Sequence, residues 1–109
     1  MQSGVPEGKQ GPNNLEGTRG VYLLHLDRPV QGGRHYCGYS ANLARRIRQH
    51  HDGTGASYTQ RVHRRGVGVH LVRVWPGAGK DVEWTVKHAR GGPAAYCPWC
   101  WADPADPFE

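Results

Sequence analysis

The chain lacks the features that would place it in a membrane or an oxidising compartment. No run of about 18 apolar residues occurs, so a transmembrane helix is not expected. Residues 1–19 lack the basic start and apolar stretch of a secretory signal peptide. Cysteine is scarce, and its odd count of 3 argues against a disulfide framework. We therefore expect a cytoplasmic protein with free thiols and no membrane association.

Acidic side chains are also scarce, above all in the middle of the chain. The sequence carries 14 Lys and Arg against 9 Asp and Glu, a net charge of +5. Residues 34–65 contain seven arginines, four histidines and a single acid, Asp52. Such a block favours a polyanionic partner, because each neutralised phosphate releases condensed counterions. On charge alone, a solvated basic surface is an equally good interpretation.

A length of 109 residues predicts one domain with one core. Residues 1–18 are rich in glycine, proline and polar side chains and have too little apolar surface to offset the cost of ordering them, which predicts a flexible leader. The domain itself is predicted over residues 19–96. Residues 97–109 form a C-terminal tail that carries two cysteines, three prolines and three acidic residues.

Apolar periodicity within the domain predicts an α+β fold. Residues 20–26 and 34–39 have the length and composition of strands, and the glycines and proline of 27–33 suit a connection between them. Ser40 is a favourable cap for the helix that follows. We predict a small three-stranded antiparallel sheet flanked by helices, its other elements being a helix at 41–51, a short helix within 54–65, a strand at 67–75 and a helix at 80–90.

The helix at 41–51 separates two kinds of arginine. At about 100° per residue, Leu43 and Ile47 fall on one stripe. Arg46 and His50 border that stripe, one helical turn apart. The remaining arginines of the helix, Arg45 and Arg48, are predicted to face solvent or a nucleic-acid backbone.

Two tripeptides at a fixed spacing carry a family resemblance. Gly20-Val21-Tyr22 and Tyr36-Cys37-Gly38 lie about fourteen residues apart, and the helix beginning near Asn42 follows the second one. Together with the element order, they resemble the GIY-YIG nuclease family over roughly residues 20–96. In that family an arginine ten residues beyond the second tyrosine is catalytic, and here this position is Arg46. Glu83 matches the family's metal-binding glutamate. Val21 and Cys37 depart from the family's isoleucines, but strand alternation turns both away from the neighbouring tyrosines.

The resemblance implies metal-assisted hydrolysis of DNA phosphodiester bonds. Glu83 would hold one Mg²⁺ (or Mn²⁺), a hard ion that uses one or two carboxylates and keeps several waters. Arg46 would offer phosphate a planar fork of hydrogen bonds. Tyr22 and Tyr36 would approach the attacking water, with Tyr22 favoured as general base and His50 as a phosphate or proton-transfer partner. Glu83 also has a simpler interpretation as the ion-pair partner of Lys87 one turn later.

A nucleic-acid surface is expected beside these residues. No base-reading helix can be identified, so specificity would follow DNA structure, duplex or branched, or come from a protein partner. Ordinary solvation explains exposed arginines almost as well. The predicted contact residues are Arg45, Arg48, Tyr58, Arg61, Arg64 and Arg65.

The pair Cys97 and Cys100 is half of a zinc site by its spacing. His88 is the nearest further donor in sequence, and His35 or Cys37 would have to come from a distance. Two free thiols in a turn is therefore the favoured interpretation over zinc.

Two other functions remain open from the sequence. One is a non-catalytic nucleic-acid-binding module of the same fold, and the other is a zinc-stabilised interaction module built on the tail. The joint presence of Tyr22, Tyr36, Arg46 and Glu83 disfavours the first, because the loss of any one would suffice to make a binder. The shortage of zinc ligands near the tail disfavours the second.

Overall fold

The computed structural model describes residues 15–108. It confirms the predicted α+β architecture, a three-stranded antiparallel sheet flanked by helices. None of the helices in this part of the chain is long and apolar enough to cross a membrane. The elements, in order, are β1 (Gly20–Val30), β2 (Gly33–Ser40), α1 (Leu43–Asp52), α2 (Ser57–Arg64), β3 (Val69–Pro76), α3 (Lys80–Lys87) and a 3₁₀ helix (Gly92–Tyr96).

Strand β1 is the centre of the sheet, in the order β2-β1-β3. The hairpin connection predicted over 27–33 was wrong in length, because β1 continues to Val30 and pairs there with Gly33. Gln31 and Gly32 form the turn with φ values of 52° and 85°. Two residues with positive φ match the twist of the flanking strands, so the strands extend up to the turn.

Helix α1 begins two residues later than predicted, at Leu43, and its cap is not Ser40. Asn42 is the actual cap, and its side-chain oxygen accepts the Arg45 N–H at 3.3 Å. Ser40 still pairs with Gly20 in the sheet, which prevents it from starting a helix. The predicted stop is confirmed, since Gly53 adopts the left-handed conformation with φ 80°.

The two sides of the sheet carry separate cores, here called the α1 face and the α3 face. Cross-strand neighbours lie on the same side, so alternation along β1 assigns Tyr22 and Leu24 to the α1 face and Val21 and Leu23 to the α3 face. The α1-face core contains Leu15, Tyr22, Leu24, Leu43, Ala44, Ile47 and Val74. The α3-face core contains Val21, Leu23, Cys37, Val72, Trp75, Ala78, Val82, Val86, Tyr96 and Cys97.

A bulge in β3 adjusts this pattern. Leu23 pairs with Arg73 and Leu24 with Leu71, which leaves Val72 without a partner on β1. Val72 is fully buried in the α3-face core. The extra residue therefore adds one apolar side chain to the α3 face and directs Arg73 toward the C-terminal segment.

Both ends of the described chain pack onto this domain. Leu15 is only 2% exposed and belongs to the α1-face core, so the predicted leader boundary at residue 18 lies inside packed structure. The rest of the predicted leader, residues 1–14, lies outside the described residues. At the other end, the Ala105 N–H donates to the Ala95 carbonyl at 2.9 Å, and Arg73 donates to the Ala105 carbonyl at 2.7 Å. The predicted tail thus continues the domain rather than leaving it.

Candidate active site

The centre of the α1 face is a buried contact between Tyr22 and His50. The Tyr22 oxygen lies 2.6 Å from His50 Nε2, and the two side chains are 1% exposed each. Tyr22 is fixed by the central strand and His50 by the last turn of α1. The sequence placed His50 at the border of the apolar stripe, whereas the structure buries it and leaves His51 exposed.

A third residue, Thr59, sets the direction of this hydrogen bond. Its hydroxyl donates to the Ala56 carbonyl at 3.0 Å, so it must accept from His50 Nδ1, which lies 2.7 Å away. His50 is then the Nδ1–H tautomer and its Nε2 accepts the Tyr22 proton. Thr59 is fully buried in α2. Sequence reasoning missed it, because a threonine in a polar segment carries no signal of its partner.

Burial keeps this pair uncharged. It raises the pKa of Tyr22 far above its ordinary value, and the proximity of the Tyr36 phenol acts in the same direction. Burial also lowers the pKa of His50 to about 4, helped by the positive charges of Arg46 and His51. At neutral pH the structure therefore contains a phenol that donates to a neutral imidazole.

Two glycines make room for the pair. A Cβ at Gly38 would overlap the Tyr22 hydroxyl, and one at Gly55 would lie 2.5 Å from His50 Nδ1. Gly38 is the last residue of the second tripeptide. The glycine of that motif is thus explained by the space that the Tyr22 ring occupies on the neighbouring strand.

Tyr36 and Tyr58 extend the cluster towards the hairpin turn. The Tyr36 ring lies 6.3 Å from that of Tyr22 and 5.3 Å from that of His50, measured between centroids. Tyr58 stacks on Tyr36 at 6.0 Å. Its hydroxyl donates to the carbonyls of Val30 at 3.0 Å and Gly33 at 2.7 Å. Tyr58, expected to contact nucleic acid, therefore has its hydroxyl committed to holding α2 against the hairpin.

Arg46 of α1 and Glu83 of α3 both act electrostatically on the cluster. The charge of Arg46 lowers the pKa of Tyr22 and that of Glu83 raises it, so both lie within electrostatic range of the phenol. Arg46 donates to Gln49 Oε1 at 3.2 Å and lines an open groove of about 350 Å³ with Arg45 and Asn42. Glu83 forms the simpler ion pair with Lys87, at 3.0 Å, while its side chain keeps 20% exposure.

The arginines expected to bind a nucleic-acid backbone lie around this groove or along α2. Arg48 forms an ion pair with Glu16 at 3.4 Å. The two side chains are 50% and 59% exposed. Arg61 donates to Gln31 Oε1 at 2.6 Å, across the hairpin turn. Arg45, Arg64 and Arg65 are exposed. Exposed ion pairs and hydrogen bonds of this kind are weak and easily exchanged for others. All of these arginines can therefore contact a polyanion.

The two tail cysteines lie on the opposite face of the sheet. Their thiols approach His25 and His35, whose nearest ring nitrogens are 3.2 Å apart. Sequence reasoning named His35 as a distant donor but missed His25. The other donors it considered are used elsewhere: Cys37 is buried in the core, and His88 Nδ1 donates to the Trp84 carbonyl at 2.8 Å.

Comparison with known proteins connects the α1 face with a family of enzymes. The model of the GIY-YIG catalytic domain matches residues 19–87, more than half of the chain. The chain belongs to the GIY-YIG family. GIY-YIG domains are metal-dependent nucleases, so the recognition of a nuclease domain from the two tripeptides is confirmed. The matched region includes β1 through α3 and ends before the two cysteines.

Two curated relatives are similar to part of the chain. "Structure-specific endonuclease subunit SLX1" of Mus musculus is 37% identical over 73 residues, which cover 63% of this chain and 27% of the relative. The protein of the same name from Rattus norvegicus is 45% identical over 47 residues, covering 43% of this chain and 17% of the relative. The chain thus spans about a quarter or less of these relatives. No solved structure matches it.

Proposed function

We propose that this GIY-YIG domain is a metal-dependent endonuclease that hydrolyses DNA phosphodiester bonds on its α1 face. The observation that carries the proposal is the buried hydrogen bond from Tyr22 to His50 Nε2. It places a proton donor and a proton acceptor in line, next to the charges of Arg46 and Glu83. A binding module would have no use for a buried, oriented proton path.

The donor set fits a hard divalent cation. Glu83 is the acid whose charge reaches Tyr22, and its side chain is part-exposed. Mg²⁺ or Mn²⁺ at Glu83 would keep several water ligands and take the rest from the DNA phosphate, and would supply charge neutralisation at the phosphoryl oxygens. Lys87 would have to release Glu83 for this, and an exposed ion pair of this type is worth only about 0.3–0.5 kcal/mol.

Proton transfer can proceed without a free phenolate. As the attacking water loses a proton to the Tyr22 oxygen, that oxygen passes its own proton to His50 Nε2. The high pKa of Tyr22 is then no obstacle, because the phenol is never left ionised. His50 becomes an imidazolium whose Nδ1–H remains bound to Thr59. This combines the two alternatives for the base, with Tyr22 contacting the water and His50 receiving the proton.

Arg46 and Tyr36 would orient the phosphate. Arg46 borders the groove, and its planar fork can bind two phosphate oxygens, which lysine cannot reproduce. Tyr36 lies between Tyr58, on which it stacks, and the Tyr22–His50 pair, so it adjoins the same site. The arginines at 45, 48, 61, 64 and 65 would contact the DNA backbone on either side.

The substrate we propose is branched or otherwise structured DNA, with a second protein supplying part of the specificity. The curated relatives are named as subunits of a structure-specific endonuclease. The chain corresponds to 27% and 17% of their lengths, so the remaining parts have no counterpart in the aligned region. No base-reading helix can be identified in the sequence, which also favours recognition of DNA shape.

The decisive experiment compares Glu83→Gln with Lys87→Gln. Both substitutions break the same ion pair, but only the first removes the carboxylate. We expect wild type to cut a panel of flap and branched DNA substrates in Mg²⁺, Lys87→Gln to cut at a similar rate, and Glu83→Gln to be slower by about a hundredfold or more. Single-turnover cleavage rates and DNA binding in EDTA would be measured together.

Three results would contradict the proposal. If Glu83→Gln cuts at the wild-type rate, the active site lies elsewhere. If Lys87→Gln is as slow as Glu83→Gln, the glutamate acts through its ion pair rather than as a metal ligand. If wild type binds DNA but never cuts it in Mg²⁺ or Mn²⁺, the protein is a binding module.

A further inference from the structure

Four side chains with metal-binding atoms converge on the α3 face, outside the nuclease site. His25 and His35 are direct cross-strand partners in β1 and β2. Cys97 and Cys100 come from the turn that follows the 3₁₀ helix. One ligand atom from each residue lies within 4.8 Å of the other three. Residues separated by up to 75 positions therefore meet at one point.

Four of the six distances between the donor atoms are close to those of a tetrahedral zinc site, and the other two are no longer than 4.8 Å. Zinc bonds of about 2.0–2.1 Å to nitrogen and 2.3 Å to sulfur imply edges of roughly 3.3 Å between two nitrogens and roughly 3.6 Å between nitrogen and sulfur. His25 Nδ1 and His35 Nε2 are 3.2 Å apart. Cys97 Sγ and Cys100 Sγ lie 3.5 and 3.9 Å from His25 Nδ1, and Cys100 Sγ lies 3.5 Å from His35 Nε2. Both thiols are free, not joined to each other.

A closed turn carries the two cysteines. The Cys97 carbonyl accepts the N–H groups of Cys100 and Trp101, both at 3.1 Å. Cys97 is fully buried and Cys100 is exposed.

Trp99 packs against one of the four residues. Its ring centroid lies 5.2 Å from that of His25 and 5.0 Å from that of His70. His25 and Cys97 are buried, whereas Cys100 is exposed, so one side of the cluster is open to solvent.

We propose that His25 Nδ1, His35 Nε2, Cys97 Sγ and Cys100 Sγ bind a structural Zn²⁺ ion. Two thiolates and two imidazoles are a donor set that zinc prefers, and four protein ligands leave no open position for catalysis. The ion joins the C-terminal segment to the β1–β2 hairpin, which carries Tyr22 and Tyr36 on its other face. In a domain this small, such a link contributes to folding itself.

Zinc content of the full chain tests the proposal. We expect protein prepared with Zn²⁺ and a thiol reductant, then passed through gel filtration, to hold one zinc per chain by elemental analysis. Cys100→Ser and His35→Gln should lose the metal. Two matched controls, Cys37→Ala and His88→Gln, should retain it, since neither residue belongs to the cluster. Cys100 is the preferred ligand to replace because it is exposed and its loss leaves the core intact.

A second measurement needs no variant. Titration of zinc-free wild type with Co²⁺ should give the visible absorption of a tetrahedral site with thiolate ligands, reaching its end point at one equivalent. The zinc-bound form should also melt about 10 °C or more above the chelated form.

Any of three outcomes would overturn the proposal. The first is a reduced wild-type protein that retains no zinc and gives no tetrahedral Co²⁺ spectrum. The second is an unchanged zinc content in both Cys100→Ser and His35→Gln. The third is a Cys97–Cys100 disulfide that forms in air even with Zn²⁺ present. Because none of these readouts involves cleavage, they are independent of the nuclease proposal.

Discussion

On the α1 face of the sheet, Tyr22, His50 and Thr59 form a chain of hydrogen bonds. Each group in the chain donates its hydrogen to the next one. On the α3 face, His25, His35 and the two cysteines direct four electron-pair donors at one point. The two clusters use similar side chains in buried or half-buried places. Their hydrogen bonding differs, because the first arrangement is a continuous chain from donor to acceptor, whereas the second gathers four atoms that a cation would bind.

The two faces also depend on different parts of the fold. The proton path needs one histidine tautomer, which Thr59 selects, and clear space, which Gly38 and Gly55 leave. The metal cluster needs the C-terminal segment to return to the hairpin, which the contacts of Arg73 with Tyr96 and Ala105 hold in place. A defect on one face should therefore leave the other face working, and each prediction below uses that independence.

Among the changes that test this comparison of the two faces, Thr59→Val should produce the largest effect and should act on the α1 face alone. Valine keeps the shape of threonine but cannot accept the His50 Nδ1–H, so a buried donor loses its partner at a cost of about 1–3 kcal/mol. We expect a slower single-turnover cleavage rate, by roughly tenfold, with unchanged DNA affinity and zinc content. Thr59→Ser restores the hydroxyl and should restore the rate. Equal rates in the valine and serine variants would show that the tautomer of His50 does not matter.

Acid stability distinguishes the buried histidine from its exposed neighbour. Burial lowers the pKa of His50 to about 4, whereas an unfolded histidine titrates near pH 6.5. Between these values the unfolded chain binds more protons, so the contribution of His50 is complete above about pH 6.5 and is lost as the pH falls towards 4. We expect the melting temperature of His50→Gln to fall less than that of wild type between pH 7 and 4.5. His51→Gln, the exposed control, should follow wild type.

The metal ligands also take up protons in acid, so these melts require equal zinc in all samples. The difference between His50→Gln and wild type then belongs to His50. If His51→Gln flattens the acid dependence as much as His50→Gln, the burial of His50 is not its cause.

The sequence predicted the α1 face better than the α3 face for a physical reason. Tyr22, Tyr36, Arg46 and His50 lie on consecutive elements, and strand alternation and the helical repeat fix their relative directions. His25 joins the other cluster only through the register of the hairpin and the return of residues far along the chain. No spacing in the sequence encodes that return.

The element boundaries that were predicted wrongly have the same physical origin, because they depend on contacts that the local sequence does not encode. The short hairpin turn depends on Gln31 adopting positive φ, which is uncommon for a residue other than glycine. The bulge at Val72 depends on packing against the α3-face core. The sequence pattern of β3 alone reads as a regular strand. Local pattern therefore gave the number and type of the strands and α-helices but not the 3₁₀ helix Gly92–Tyr96, and tertiary contacts set the ends of the elements.

Salt dependence should show the smallest effect and should reveal which face contacts DNA. Arg64 and Arg90 are both exposed arginines, the first at the end of α2 and the second just after α3. If DNA lies along the α1 face, Arg64→Ala should reduce the slope of log K against log salt by about 0.9, the value for one duplex phosphate contact. Arg90→Ala should leave the slope unchanged. Binding titrations over a range of salt concentrations, in EDTA and with several duplex sequences, would measure both. A reduced slope for Arg90→Ala alone would place the DNA on the α3 face and contradict the assignment of the nuclease site to the α1 face.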